Sequence, residues 1–321
     1  MIKDILRIVR YKNLIIVAAT MYIMRIFIMQ PLLLQKGMEL QLNNLLFLCL
    51  ALATVCITAA GYVINDYFDT RTDLVNRPST VVVGKTLSRR MVISLHWLLN
   101  LLGVGFGAIV SISIGKPLLV FVFLLVPGVL WFYSTTYKRQ FLLGNLIVAF
   151  LTALVPLMVL LFELPKLQSA YWQMVVLNPS LFNDIIYWIG GYAIFAFWLT
   201  LFREIVKDIE DFEGDNEYGR RTLPIVLGIK PARMVAASIL FVTIIILAYL
   251  FGAFLNFLPS GKFDYFTFLY LLIGLIIPLI VLIVRLLTAQ SDKDYEWASR
   301  FTKIVMLIGI LYAVAFRYML N

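Results

Sequence analysis

Nine long apolar runs limit the folds that are open to this chain of 321 residues. Each run is about 20 residues long, the length that a helix needs to cross a hydrocarbon core of about 30 Å. Backbone polar groups find no water in lipid, so a spanning segment is either helical or part of a closed barrel, and the alternating pattern of barrel strands is absent from the sequence. The runs lie near residues 14–34, 45–64, 91–113, 117–134, 141–162, 185–202, 234–254, 265–285 and 301–319.

Composition supports the same conclusion. Hydrophobic residues make up 62% of the chain and charged residues only 14%, a balance that excludes a soluble domain of this length. The sequence therefore predicts an all-α integral membrane protein in which residues 1–321 form a single membrane domain.

The distribution of the 27 Lys and Arg residues predicts the orientation of the chain. If the N-terminus is cytoplasmic, most of them fall in segments on the cytoplasmic side, whereas the opposite side holds few, such as Lys36, Lys116 and Lys262. This asymmetry follows the positive-inside rule for nine spans, with the N-terminus in the cytoplasm and the C-terminus on the opposite side of the cell membrane. The net charge of +9 then reflects topology. The sequence supports no nucleic-acid partner and indicates no obligate protein partner.

More than half of the 18 acidic residues fall in two segments on the predicted cytoplasmic side. In "NDYFDTRTD" and in "KDIEDFEGD", an aspartate is followed by another three residues later and a third four residues after that. Each triplet closes a long apolar helix, and two copies with the same spacing are too improbable to be chance. The triplets are Asp66, Asp69 and Asp73, and Asp208, Asp211 and Asp215.

The spacing gives each triplet a shared helical face, because residues three, four and seven apart are neighbours on a helix. Carboxylates that lie close together repel one another and are poorly solvated near a membrane, so a cation is expected between them. Mg²⁺ takes one or two carboxylates together with water and substrate phosphate oxygens. Two facing clusters could hold two or more Mg²⁺ ions on a diphosphate whose lipid tail runs between apolar helices.

Four spans separate one acidic exit helix from the other, so the two helices run in the same direction. This predicts two similar four-helix units, about 14–134 and 141–285, and a ninth helix at about 301–319. The units are expected to surround a central cavity that opens to the cytoplasmic side.

Two other interpretations of the acidic segments stay open. The first is a solvated, charged helix end in which acids and bases neutralise each other, an interpretation that the mixed segment "REIVKDIEDFEGDNEYGRR" permits when taken alone. The second is an ion-coupled transporter, which would place carboxylates near the bilayer midplane or on both faces. Within the spans, the only charge singled out is Arg25, and both acidic clusters end on one side, which favours an enzyme over a transporter.

The cysteines and the single histidine give no sign of a metal or catalytic site. Cys49 and Cys56 share one face of the second span, and His96 begins the third. A zinc site would require four clustered ligands. All three residues are predicted to be packing residues.

Two segments resemble the signatures of the UbiA-type intramembrane prenyltransferases. "NDYFDTRTDLVNRP" is similar to the first signature of that family, and "REIVKDIEDFEGDNEYGRRTLP" is similar to the second. A looser resemblance lies in "WFYSTTYKRQFLLGN" and in "RYKN", which ends at Asn13. The resemblance extends over nearly the whole chain and is closest to the branch of the digeranylgeranylglyceryl phosphate synthases.

The resemblance implies Mg²⁺-dependent transfer of an isoprenyl group from an allylic prenyl diphosphate to a membrane-associated acceptor. Electrostatic stabilisation of the leaving diphosphate would drive ionisation of the allylic C–O bond. It implies catalytic roles for Asp69, Asp73, Asp211 and Asp215. It implies a metal-binding set of Asn65, Asp66, Asp69, Asp73, Asp208, Asp211 and Asp215. The residues expected to bind the diphosphate are Asn13, Arg77, Lys138, Lys207, Lys85, Arg203, Arg221, Tyr133 and Asn145.

The acceptor is the less constrained part of this prediction. The branch that the second signature resembles implies the hydroxyl of a prenylglycerol phosphate lipid, and the alternative is an aromatic ring in quinone, haem or tocopherol-like biosynthesis. The segment "STVVVGK", from Ser79 to Lys85, departs from the branch, which commonly carries a second Arg-Pro and a Pro-Ser-Gly there. Thr80 stands where another Arg is expected, so the departure concerns the phosphate contacts of this loop.

Overall fold

The structure is a computed structural model that describes residues 1–76, 78–79, 81–256 and 261–319. Across these residues the chain is helical and contains no β-strand, only an isolated bridge between Val83 and Leu87. Nine of the described helical segments are long and apolar enough to cross a membrane, which confirms the predicted number of spans.

The spanning helices begin and end close to the predicted runs, and most extend beyond them. They are α2 (Tyr11–Leu34), α3 (Asn44–Asn76), α4 (Arg89–Ser113), α5 (Pro117–Arg139), α6 (Leu143–Ala170), α8 (Asn183–Glu210), α11 (Ile229–Leu255), α12 (Tyr265–Leu287) and α13 (Asp292–Met319). Four short helices connect or precede them: α1 (Ile2–Ile8), α7 (Trp172–Leu177), α9 (Phe212–Glu217) and α10 (Leu223–Leu227).

The chain divides into two compact units. The first unit comprises Met1–Lys138 and Leu154–Gly191, and the second comprises Arg139–Ala153 and Tyr192–Met319. Helices α6 and α8 contribute residues to both. The predicted repeat of two four-helix halves around a central cavity stays a prediction.

The segment "STVVVGK", which departs from the family pattern, packs through buried apolar side chains in the first unit. Val82 and Val83 are 5% and 2% exposed and pack in a buried cluster with Ile8, Val63 and Val92. Burial of such side chains is worth about 1.5–3 kcal/mol each. The β-branched residues of "STVVVGK" therefore hold α1, α3 and α4 together, while Thr80 lies outside the described residues.

Glycines allow α4 to pack closely against its neighbours in the first unit. A Cβ at Gly103 would lie 2.6 Å from Ile57 of α3, and one at Gly107 would overlap Phe123 of α5. A Cβ at Gly61 would lie 2.9 Å from Leu130, so Gly61 is a packing glycine too. Close approach of helices through small residues is common in membranes.

The core of the second unit is a large apolar cluster on α8, α11, α12 and α13. Its central side chains, including Phe202, Leu240, Leu279 and Val305, are fully buried. This packing fixes the end of α8, which carries the second acidic motif.

Helix α6 contains a buried carboxylate that the sequence analysis did not single out. Glu163 is completely buried, and its Oε1 accepts hydrogen bonds from the backbone N–H groups of Gln41 and Leu42. Arg25, 4% exposed, donates to the carbonyl of Leu42. Arg25 is therefore not the only charged side chain buried away from the acidic motifs. Glu163 and Arg25 tie down the loop between α2 and α3.

Candidate active site

The first acidic motif lies on the last turns of α3, within the first unit. Asp66 Oδ1 accepts a hydrogen bond from Nη2 of Arg10 at 2.9 Å. The Arg10 guanidinium also lies 4.9 Å above the ring of Tyr62, whose hydroxyl accepts a hydrogen bond of 3.4 Å from Asn13. Arg10 and Asn13 flank the start of α2, so the "RYKN" segment contacts both the acidic motif and the turn that precedes it.

Asp69 forms a buried ion pair with Lys138. The Nζ atom of Lys138 lies 2.7 Å from Oδ1 of Asp69 and 3.3 Å from the Asn65 side-chain oxygen. Asp69 is 7% exposed and Lys138 is 8% exposed. Charges removed from water interact more strongly than surface charges and need well-placed partners. The structure thus brings Lys138 together with Asn65 and Asp69, predicted site residues from another segment of the chain.

The other predicted residues of this unit have more varied surroundings. Asp73 is half-buried one helical turn beyond Asp69, and Tyr133 is half-buried on α5. Lys85 is exposed and donates to the carbonyl of Pro78, 2.9 Å away, which ties the "STVVVGK" loop to the end of the motif. Arg77 lies outside the described residues.

The second acidic motif, in the second unit, is not on one continuous helix. Helix α8 ends at Glu210, Asp211 has φ −92° and ψ 12°, and α9 begins at Phe212. Asp and Gly have low helix propensities, and this segment is rich in both. The backbone hydrogen bonds from Asp211 to Lys207 and from Asp215 to Asp211 nevertheless continue through the break. The expectation of one shared helical face therefore holds only approximately for this triplet.

Two carboxylates of this motif have defined partners within the second unit. Asn145 of α6 donates its side-chain N–H to Oδ2 of Asp208 at 2.8 Å. Asp215 is 1% exposed and lies 3.1 Å from Nη1 of Arg220. The pairing of Asn145 with Asp208 joins two residues whose predicted roles, diphosphate binding and metal binding, came from different segments.

Three basic residues predicted to bind diphosphate lie beside this motif. Arg203 and Lys207 both contact Oε1 of Glu204, at 2.7 and 3.0 Å. Arg221 is exposed, and its backbone N–H donates to the carbonyl of Arg139. Glu204 thus holds two cations one helical turn before Asp208.

The structure adds three charged residues to the predicted set. Arg10, Glu204 and Arg220 each contact a predicted residue, yet none was assigned to the site. Arg10 begins the "RYKN" segment, and Arg220 belongs to the Arg-Arg pair from which only Arg221 was selected. Both segments were recognised in the sequence, but the sequence did not show which basic residue of each segment would contact a carboxylate.

The donor atoms suit Mg²⁺, which prefers oxygen ligands. In the described part of the chain, no three His, Cys, Asp or Glu side chains form a ready-made metal site. The predicted carboxylate triplets are therefore not gathered into ready-made clusters among these residues, and their role as metal ligands stays a prediction.

His96 and Asn100 lie away from these motifs. His96 is 2% exposed, with Nδ1 3.0 Å from the carbonyl oxygen of Ala60 and Nε2 3.0 Å from the Asn100 side chain. These contacts join α4 to α3. They agree with a packing role for His96.

The described part of the chain thus defines a multi-span helical membrane protein with buried carboxylate–cation pairs at or just beyond the ends of two apolar helices. The profile of the UbiA prenyltransferase family matches residues 24–309. The chain belongs to this family. It is therefore a prenyltransferase and an integral, multi-pass membrane protein, and the transporter interpretation is set aside.

Curated relatives are similar over most of their length. Digeranylgeranylglyceryl phosphate synthase of Methanosphaera stadtmanae is 29% identical over 266 residues, which cover 81% of this chain and 85% of the relative. The synthase of the same name from Sulfolobus acidocaldarius is 32% identical over 267 residues, which cover 83% of each chain.

Solved structures share the fold at lower identity. A structure of digeranylgeranylglyceryl phosphate synthase in membranes aligns with a TM-score of 0.61 and 22% identity, covering 98% of both chains. A UbiA homologue from Archaeoglobus fulgidus, solved with GPP and Mg²⁺, aligns with a TM-score of 0.55 and 14% identity, covering 97% of this chain and 99% of its own.

Proposed function

We propose that this protein transfers an isoprenyl group from an allylic diphosphate to the hydroxyl group of a prenylglycerol phosphate lipid, with Mg²⁺ as its metal ion. The main support is its similarity to synthases of digeranylgeranylglyceryl phosphate over more than four-fifths of the chain. The Archaeoglobus fulgidus homologue solved with GPP and Mg²⁺ supports an allylic diphosphate and Mg²⁺ as ligands.

The reaction exchanges one C–O bond for another. The bond between the allylic carbon and the diphosphate breaks, and its electron pair leaves with the diphosphate. The acceptor hydroxyl oxygen then bonds to the allylic carbon, and its proton passes to the released diphosphate or to water. Bound Mg²⁺ would supply positive charge against the growing negative charge of the leaving group.

The carboxylates of the two motifs are proposed to hold the metal ions, and their cationic partners are proposed to contact the diphosphate. Lys138 is the strongest candidate, because its charge is buried and therefore poorly screened by water. Asp69 and Asn65 hold its ammonium group in place, so little reorganisation is needed when charge develops. Asp69 thus serves both as a proposed metal ligand and as the residue that positions Lys138.

The remaining residues keep the roles that the family resemblance implied. The proposed metal-binding set is Asn65, Asp66, Asp69, Asp73, Asp208, Asp211 and Asp215. The proposed diphosphate contacts, besides Lys138, are Asn13, Arg77, Lys85, Tyr133, Asn145, Arg203, Lys207 and Arg221. We also propose that the N-terminus and both acidic motifs lie on the cytoplasmic side, which the distribution of basic residues supports.

The decisive experiment supplies purified protein with Mg²⁺, labelled prenyl diphosphates of several chain lengths, and two acceptors, geranylgeranylglyceryl phosphate and hydroxybenzoate. We expect label in an ether product of the glycerol lipid. Label in a ring-prenylated hydroxybenzoate, with none in the lipid, would contradict the proposed acceptor. An Asp69→Asn variant in the same assay identifies product that does not depend on this site.

A further inference from the structure

Helices α4 and α5 of the first unit form a groove whose lining includes none of the proposed metal-binding or diphosphate-binding residues. Its volume is about 570 Å³. Its walls are apolar and aromatic side chains that remain largely exposed in the protein, including Trp97 (60%), Leu101 (72%), Leu124 (49%) and Phe132 (56%). Since both helices are spanning segments, the material around these side chains is lipid.

The floor of the groove is closed and rigid. His96 and Asn100 lie there: His96 contacts the carbonyl of Ala60 on α3, and Asn100 contacts the His96 ring within α4. Trp131 lies beside them, with its ring 5.7 Å from the His96 ring and 6.0 Å from the Trp97 ring. These contacts hold the side chains of the floor in place. Because they are already ordered, less entropy is lost when a lipid chain binds there.

Gly128 leaves space in the opposite wall. It lines the groove, and a Cβ built on it would meet no atom within 4 Å. It follows Pro127, another lining residue. This glycine differs from Gly61, Gly103 and Gly107, which allow helices to pack closely, because here the missing side chain leaves the groove open.

A cation lies on the same face of α4. Arg90 precedes Trp97 by seven residues, which is two helical turns or about 10 Å along the axis. Arg89 is engaged, since it donates to the carbonyl of Tyr67 and lies over that ring. Arg90 is exposed and makes no ion pair with any residue that the structure describes. Its position at the first turn of a spanning helix is where lipid phosphates lie.

We infer that this groove is a binding site for one anionic phospholipid of the surrounding bilayer. Its phosphate would pair with Arg90, and the upper part of its acyl chain would lie against Trp97, about 10 Å deeper along α4. One acyl chain would follow Leu101 and Leu124 past Gly128. The site depends on the membrane location of the chain and not on prenyl transfer.

The test uses the full chain in dioleoylphosphatidylcholine vesicles that contain a trace of photoactivatable lipid, either phosphatidylglycerol or phosphatidylcholine, with the reactive group on the acyl chain. Cross-linked peptides are then mapped by mass spectrometry. We expect phosphatidylglycerol to label the groove segments of α4 and α5 about fivefold more than phosphatidylcholine, the preference that one basic residue near a membrane surface provides.

Two pairs of variants separate the groove from general solvation by lipid. Gly128→Leu should reduce labelling of the groove at least fivefold, whereas Gly105→Leu, on α4 but outside the groove and equally free of neighbours, should not. Arg90→Gln should remove the preference for phosphatidylglycerol, and the control Arg300→Gln, which replaces an exposed arginine on α13 that pairs with Glu296, should keep it.

Equal labelling by the two lipids, or labelling of the groove that Gly128→Leu leaves unchanged, would overturn the inference. Even labelling of all lipid-facing helices would overturn it too. No prenyl substrate is present, so the result is independent of the acceptor assay, and either proposal can fail alone.

Discussion

Lys138 and Asp69 form a buried ion pair whose Nζ–Oδ1 distance is 2.7 Å, although 69 positions separate them in the sequence. Lys138 lies at the end of α5, and Asp69 lies near the end of α3. Packing of these two helices therefore places a residue predicted to bind diphosphate in contact with a residue predicted to bind metal. The pair orders a cation and a carboxylate before any substrate arrives.

Replacing Asp69 with Asn should abolish most prenyl transfer. The substitution keeps the size of the side chain but removes the charge that holds Lys138 and that is proposed to bind Mg²⁺. We expect a loss of about 10²–10³-fold in kcat, similar to the removal of one preorganised electrostatic group in other enzymes. Product formation with labelled diphosphate measures it, and size-exclusion chromatography in detergent checks folding. Activity within twofold of the parent would remove Asp69 from the site.

Chelation of divalent metal should stop the reaction. The carboxylates of the two motifs and a diphosphate are all negatively charged, so they repel one another unless a cation lies between them. We expect EDTA to abolish turnover and added Mg²⁺ to restore it, whereas K⁺ should not. Turnover that is indifferent to EDTA would contradict the metal-binding role of both motifs.

Replacing Glu204 with Gln should weaken diphosphate binding more than it slows chemistry. Glu204 holds Arg203 and Lys207 through a single oxygen, at 2.7 and 3.0 Å. A neutral partner holds them less well, so we expect KM for the prenyl diphosphate to rise about fivefold to tenfold, the equivalent of one ordinary hydrogen bond of about 1 kcal/mol. Steady-state kinetics separate KM from kcat. A fall in kcat with unchanged KM would show that Glu204 acts in the chemical step.

Replacing Asn145 with Leu should affect stability and activity together. The Leu side chain cannot donate to Asp208, so a half-buried carboxylate loses its hydrogen bond of 2.8 Å. We expect a cost of about 1–3 kcal/mol in the free energy of unfolding and a clear loss of transfer activity. Thermal unfolding in detergent and the transfer assay measure the two effects. Asn145→Ser, which keeps a donor, should recover part of both, and failure to do so would indicate a purely steric effect.

Replacing Glu163 with Leu should destabilise the protein without changing its chemistry. Glu163 accepts two backbone hydrogen bonds, and Arg25 is buried at the same loop. Removing one member of a buried charged group costs about 3–5 kcal/mol, so we expect a lower midpoint of thermal unfolding. At a temperature where the variant is folded, kcat should match that of the parent. A large loss of kcat in the folded variant would contradict a structural role.

The number of spans, the two aspartate motifs and the family could be predicted from the sequence. Spans are local features, because about 20 consecutive apolar residues are sufficient for one. The motifs are local as well, since their spacing appears within nine residues. The break at Asp211 was not predicted, because it depends on backbone geometry that a spacing rule does not resolve.

The sequence by itself therefore predicted nine spanning helices, a number that the described residues also give, and two acidic motifs of one spacing. Only the tertiary structure decided which cation meets which carboxylate: Arg10 with Asp66, Lys138 with Asp69, and Arg220 with Asp215. It also decided that the "STVVVGK" segment buries Val82 and Val83 as an apolar anchor. The physical reason is that each contact depends on how helices and loops pack, and packing is set by many side chains distant in sequence.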